Sequence, residues 1–131
     1  MYRAAALVSI VVVVLLAGCG PSPAGPVYTV AGRALAGPTC PVEPASPEPG
    51  QCDPRPVTGA VLVIADPAGH DVARVTTAAD GSWTASLAAG SYSLAPQPVP
   101  GLMGVAQPVA FAVSADSAPT DLRVEYDTGI R

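Results

Sequence analysis

Short runs in which apolar and polar residues alternate, each ended by a turn signal, dominate this 131-residue chain from residue 27 onward. Because the side chains of a β-strand point alternately to the two faces of a sheet, such alternation is typical of strands with one buried and one solvated face. Helical periodicity is absent from this part of the sequence. The pattern predicts seven strands, at residues 28–35, 61–64, 72–77, 82–87, 91–94, 109–113 and 121–127.

The segments between these runs support the same prediction. Asp80-Gly81 and Ala89-Gly90 are dipeptides that favour tight hairpins, because glycine adopts a positive φ at little cost. Seven short strands in a domain of about 105 residues predict an all-β fold, specifically a seven-stranded antiparallel β-sandwich. The run Val61-Leu62-Val63-Ile64 is apolar at every position, so we expect this strand to be central or covered on both faces.

Two proline-rich segments lack strand patterning. Residues 37–57 contain seven prolines and two cysteines, and residues 96–104 have the sequence PQPVPGLMG. Long loops on a rigid sandwich are where binding usually resides, so we expect partner contacts there, with Arg55 as a charged anchor and Met103 as an adaptable apolar contact. The alternative is that Arg55 pairs with a nearby carboxylate and Met103 fills the end of the sandwich.

The cysteines of the first loop indicate the redox environment. Cys40 and Cys52 form an isolated pair, and in an exported chain a pair at this separation is predicted to form a disulfide. A zinc site would need more ligands than the single histidine, His70, supplies. We therefore predict a disulfide, no metal site and no other cofactor. His70 is predicted to be an exposed turn residue rather than an acid or base.

The N-terminus carries a sorting signal. Met1-Tyr2-Arg3 precedes a nearly unbroken apolar run, Ala4 to Leu16, which is too short to cross about 30 Å of hydrocarbon as a helix and is typical of a secretory signal peptide. The run ends in Leu16-Ala17-Gly18-Cys19, which resembles the lipobox of bacterial lipoproteins. The resemblance implies cleavage after residue 18 and acylation of Cys19. The alternative is an ordinary signal peptide followed by an incidental cysteine.

This resemblance implies three segments: a lipoprotein signal peptide (1–18), the lipidated cysteine with a Pro/Gly-rich tether (19–26) and the β-sandwich domain (27–131). Two or more acyl chains hold a protein stably on a bilayer. We therefore expect an exported protein, lipid-anchored to the outer face of the cell membrane, or periplasmic or on the outer membrane in a host with two membranes. Loss of residues 1–18 leaves five arginines against ten acidic residues, a net charge of −5, which argues against nucleic acid as a partner.

Three motifs of the domain together resemble a known family. They are the strand Gly59-Ala60-Val61-Leu62-Val63, the hairpin Thr77-Ala78-Ala79-Asp80-Gly81-Ser82-Trp83 and the hairpin Leu87-Ala88-Ala89-Gly90-Ser91-Tyr92-Ser93-Leu94. Residues 27–131 thus resemble the carboxypeptidase regulatory-like, or prealbumin-like, β-sandwich. The resemblance implies a prealbumin-like or Ig-like fold, which hosts adhesion, sugar-binding, transport and accessory roles.

Three functions are compatible with the sequence. The first is a non-catalytic envelope lipoprotein whose sandwich binds or makes structural contact with an envelope protein or polymer. The second is a glycan or small-ligand binding module that uses the proline-rich loops and Trp83. The alternation of its strand places Trp83 among the inward-facing residues, which also predicts that Trp83 is a core residue. The third, a hydrolase, is disfavoured because the sequence has one histidine, no Gly-x-Ser-x-Gly motif and no other catalytic signature. Self-crosslinking through lysine is excluded because the chain has no lysine.

Overall fold

The computed structural model describes residues 25–42 and 44–131. Cys19 and the predicted signal peptide lie outside the described residues. The described part contains eight strands: β1 (Val27–Gly37), β2 (Arg55–Pro56), β3 (Val61–Ala65), β4 (Asp71–Thr76), β5 (Ser82–Ala88), β6 (Gly90–Pro96), β7 (Val109–Val113) and β8 (Leu122–Asp127). No helix within it is long and apolar enough to cross a membrane. The prediction of an all-β fold is confirmed.

The strands form two four-stranded sheets. In the first, β5 and β2 pair antiparallel with one edge of β1, and β8 pairs parallel with its other edge. In the second, the order is β4-β3-β6-β7 and every pair is antiparallel. Two details differ from the sequence prediction, namely the additional strand β2 and the parallel pairing of β8. Strand β2 has only two residues and lies next to prolines, so alternation cannot reveal it. Alternation also shows which face of the sheet a side chain occupies but not the direction of the neighbouring strand, so it cannot reveal the parallel pairing of β8.

The core lies between the two sheets, where the alternation of the sequence predicts it. Trp83 and Leu87 on β5, and Val124 and Tyr126 on β8, are buried, whereas their neighbours along each strand are more exposed. On the central strand β3, Leu62 and Ile64 face the core. The strand also buries Val63, which explains why this run is apolar at every position.

A glycine on β1 makes room for the largest core side chain. Gly32 lies opposite Trp83 on one neighbouring strand and Leu122 on the other. A Cβ at this position would collide with the carbonyl oxygen of Leu122 and lie 2.7 Å from Cζ2 of Trp83. The indole is therefore packed directly against the backbone of β1. Its Nε1 is buried and has no hydrogen-bond partner among the described residues.

Candidate functional site

The loop between β1 and β2 is closed by a disulfide between Cys40 and Cys52, with 5.4 Å between their Cα atoms. This confirms the pairing predicted from the sequence. Near the base of the loop, Thr39 donates a hydrogen bond from Oγ1 to the carbonyl oxygen of Asp53, at 3.1 Å. Beyond β2, the amide of Val57 donates to the carbonyl of Ala34 on β1, at 2.9 Å. The loop is therefore fastened to the sheet as well as closed on itself.

The second proline-rich segment reaches the same sheet through Met103. The amide of Met103 donates to the carbonyl oxygen of Asp127 at 2.8 Å, and the two residues form an isolated antiparallel bridge. The Met103 side chain is 59% exposed, and its Sδ lies over Gly129, at 3.3 Å from where a Cβ of that residue would be. Met103 therefore lies on the surface instead of filling the end of the sandwich.

Residues 127–131 join these two segments. The Asp127 carboxylate accepts hydrogen bonds from the amide of Gly129 at 2.7 Å and from both terminal nitrogens of Arg131, at 3.1 and 2.7 Å. The bonds from Arg131 and then from Gly129 lower the pKa of Asp127 to about 2. Thr128 donates its amide to the carbonyl of Gly37 at 3.2 Å and its hydroxyl to the carbonyl of Pro38.

The strand registers place the two candidate residues at the same end of the first sheet. Arg55 lies opposite Ala36 of β1, Ala36 lies opposite Tyr126 of β8, and the residue after Tyr126 pairs with Met103. Three strand spacings, or about 14 Å, therefore separate Arg55 from Met103. The guanidinium of Arg55 is exposed and forms none of the ion pairs found among the described residues. The alternative in which a carboxylate pairs with Arg55 has no support in the described part of the chain.

A groove of about 200 Å³ lies at the same end of the first sheet. Its lining is mainly apolar, with one carboxylate, and consists of Leu35, Gly37, Pro38, Pro54, Glu125 and Tyr126. Leu35 and Glu125 lie opposite each other on β1 and β8, so both belong to the outer face of the sheet. We call the surface formed by Arg55, the groove, Met103 and residues 127–131 the disulfide end.

Trp83, the third candidate, is not part of this surface. Its side chain is only 3% exposed and belongs to the core cluster, so no ligand can stack on it in this arrangement. The remaining aromatic side chains of the described residues are buried or half-buried against the same core: Tyr28, Tyr92, Phe111 and Tyr126. Burial raises the pKa of Tyr126, whose hydroxyl donates to the carbonyl of Gln97 at 3.0 Å. None of the aromatic side chains of the described residues is therefore more than partly exposed.

The polar groups far from the disulfide end belong to turns. His70 lies in the turn between β3 and β4, and its Nδ1 is 3.3 Å from Oδ2 of Asp66. Oδ1 of Asp66 accepts the amides of Ala68 and His70, both at 2.9 Å, and the bond from the His70 amide contributes most to lowering the pKa of this carboxyl. His70 is thus exposed in a turn, as the sequence predicts. Within residues 25–42 and 44–131, no three histidine, cysteine or acidic side chains are grouped so that they could hold a metal.

Comparison with known proteins shows the fold. The sequence matches no protein-family model and no curated protein. Among solved structures, it is similar to the shaft pilin SpaA from Lactobacillus rhamnosus GG (TM-score 0.56, 13% identity), the minor pilin GBS52 from Streptococcus agalactiae (0.55, 14%) and the Bacillus anthracis TIE protein (0.54, 16%). The likeness is one of fold.

These matches cover 79%, 78% and 76% of this chain, but only 51%, 44% and 17% of the respective neighbours. The chain therefore corresponds to one part of each larger protein. The Ig-like β-sandwich that the sequence predicts is confirmed by these neighbours, whereas membership of the carboxypeptidase regulatory-like family stays a prediction.

Proposed function

We propose that this protein is a non-catalytic module of the bacterial cell envelope, held at the outer face of the membrane through Cys19, which contacts a protein partner through its disulfide end. One observation carries the proposal. Two proline-rich segments, residues 37–57 and 96–104, lie at one end of the first sheet, and residues 127–131 bind to both.

The construction of the disulfide end favours binding. A disulfide, the seven prolines of residues 37–57 and the hydrogen bonds of Thr128 hold this surface in one arrangement in the unbound protein. Less conformational entropy is then lost on association than with a mobile loop. The surface combines an exposed methionine and a proline-lined groove with an exposed arginine, which is a composition suited to a protein partner.

Two further observations support a structural or adhesive role over catalysis. Among the described residues, the titratable side chains at the disulfide end are Arg55, Glu125, Tyr126 and the Asp127–Arg131 ion pair, and no nucleophile with a neighbouring base stands among them. Pilins are also among the solved proteins that share this fold. Because fold alone does not determine function, this likeness adds to the argument from the site and does not replace it.

The proposed location depends on Cys19. The lipobox resemblance and a disulfide-bonded domain both favour a compartment outside the cytoplasm. We expect metabolic labelling with a clickable fatty acid to tag the wild-type protein, and Cys19→Ala to lose the tag, because the thiol that carries the acyl group is absent. Equal labelling of both proteins would contradict lipidation at this residue.

The proposed binding surface is tested by photocrosslinking in intact cells. Photoreactive residues are placed singly at Arg55 and Met103, with Thr84, an exposed residue on the outer face of β5, as the matched control. We expect a discrete protein adduct from positions 55 and 103 and none from position 84. Adducts of equal yield from all three positions would show that the disulfide end is not a specific surface.

A glycan or small-ligand module is the second candidate, and the groove of about 200 Å³ favours it. The burial or half-burial of all described aromatic side chains argues against it, because sugars are usually bound by stacking on flat apolar faces. The same crosslinked samples separate the two functions. An adduct that returns to the mass of the free protein after glycosidase treatment would favour the glycan. An adduct that keeps its mass after that treatment and yields peptides of a second protein would favour the protein partner.

A further inference from the structure

The outer edge of β8 presents backbone groups without a partner in the described residues. One edge of β8 pairs with β1, and at the other edge the carbonyl of Asp127 accepts the amide of Met103. Because backbone groups alternate in direction along a strand, Arg123 and Glu125 present their N–H and C=O groups to the same outer edge as Asp127. In residues 25–42 and 44–131, no other segment forms a backbone hydrogen bond with Arg123 or Glu125 at this edge.

The neighbouring segment of the chain leaves this edge open. A groove of about 310 Å³ separates β8 from the start of β7, and it is lined by Gln107, Pro108, Val109, Arg123 and Glu125. Pro108 has no amide hydrogen with which to pair to β8. Among the described residues, only Met103 pairs with this edge, at Asp127, so within that part of the chain residues 122–126 are open to another extended strand.

The charges along this edge are self-complementary. Arg123 and Glu125 are exposed on the outer face of the sheet, on either side of the buried Val124. If two β8 strands pair antiparallel about a two-fold axis at Val124, Arg123 of each copy lies opposite Glu125 of the other. An axis at residue 123 would place two arginines opposite each other, and one at residue 125 two glutamates. Opposite charges directly across a ladder stabilise it, and like charges destabilise it.

We propose that two copies of this chain pair through antiparallel β8 strands and join their four-stranded sheets into one continuous sheet. In the register centred on Val124, Arg123 of one copy lies opposite Glu125 of the other. The backbone N–H and C=O groups of both residues point toward the partner strand. Arg123 and Glu125 then exchange their backbone hydrogen bonds with the second copy, and their side chains form two ion pairs. The pairing ends at Tyr126 because Met103 of the same chain pairs with the next residue, Asp127.

Charge reversal with rescue tests this register. The full chain is expressed with two different affinity tags in the same cells, and capture through one tag is scored for the other. Wild-type chains should be captured together. Arg123→Glu places glutamate opposite glutamate and Glu125→Arg places arginine opposite arginine, so each variant alone should lose about tenfold in co-capture. Arg74→Glu, the same charge change on the exposed face of β4, should have no effect.

The decisive sample combines the two reversed chains. An Arg123→Glu chain facing a Glu125→Arg chain has opposite charges at both positions, so co-capture should return to within about twofold of wild type. This return also excludes misfolding as the cause of the single-variant losses. Wild-type chains that are not captured together, reversed chains that are captured as well as wild type, or a mixture that fails to restore capture would each overturn the proposal.

Discussion

Replacing Trp83 with alanine is expected to lower the free energy of unfolding by about 3–5 kcal/mol, which is a large fraction of the total for a domain of this size. The side chain is 3% exposed and packs against the backbone at Gly32. Because β1 is held by strands on both edges at this point, the surrounding structure cannot collapse into the space that the indole leaves. The cost is therefore the lost burial plus a cavity.

Urea unfolding followed by circular dichroism measures this effect. Trp83→Phe is the matched variant, and we expect it to lower the free energy of unfolding by less than half as much as Trp83→Ala. It retains an aromatic ring and removes a buried N–H that has no partner among the described residues. Thr84→Ala, on the exposed face of the same strand, should change stability by less than about 0.5 kcal/mol. If the Trp83→Ala protein were as stable as Thr84→Ala, the packing described for the core would be incorrect.

Removal of the Cys40–Cys52 disulfide is expected to lower the free energy of unfolding by about 2–4 kcal/mol. The bridge closes a loop with a sequence separation of 12, so its loss mainly increases the conformational entropy of the unfolded chain. Both cysteines lie outside the core cluster, so the sandwich should remain folded without the bridge.

Unfolding of a Cys40→Ser/Cys52→Ser variant against wild type, both at fixed pH, gives this difference. The circular dichroism spectrum of the folded variant should match that of wild type, because neither cysteine lies in a strand. Thiol titration of unreduced wild type should find neither cysteine free. Free thiols at these positions, or a variant that loses its β-sheet signal in the absence of urea, would contradict this account.

Most of the fold follows from alternation in the sequence. The faces of β5 and β8 are as predicted, since Trp83, Leu87, Val124 and Tyr126 point inward. The sequence could not indicate that β8 runs parallel to β1, because both directions of pairing give the same alternation of faces. The short strand β2 escaped prediction for a related reason, since two residues beside prolines form no recognisable period.

The candidate site was only partly predictable. Proline content indicates both loops. Turn signals show where strands end but not which strand ends lie together, so the placement of Arg55 and Met103 at the same end of the sheet required the structure. The contribution of residues 127–131 had no signal, because Asp127 and Arg131 resemble any solvated ion pair in sequence. Trp83 was a candidate only because sequence cannot distinguish an aromatic residue in the core from one that stacks on a ligand.

The central claim is that this protein acts by binding through its disulfide end, and the crosslinking yield at Met103 relative to Thr84 in intact cells measures it most directly. Both side chains are exposed, so the two positions differ in location and not in accessibility. We predict a single protein adduct at position 103 that is absent at position 84. Adducts at position 84 alone, or the same adducts in equal yield at both positions, would contradict the claim.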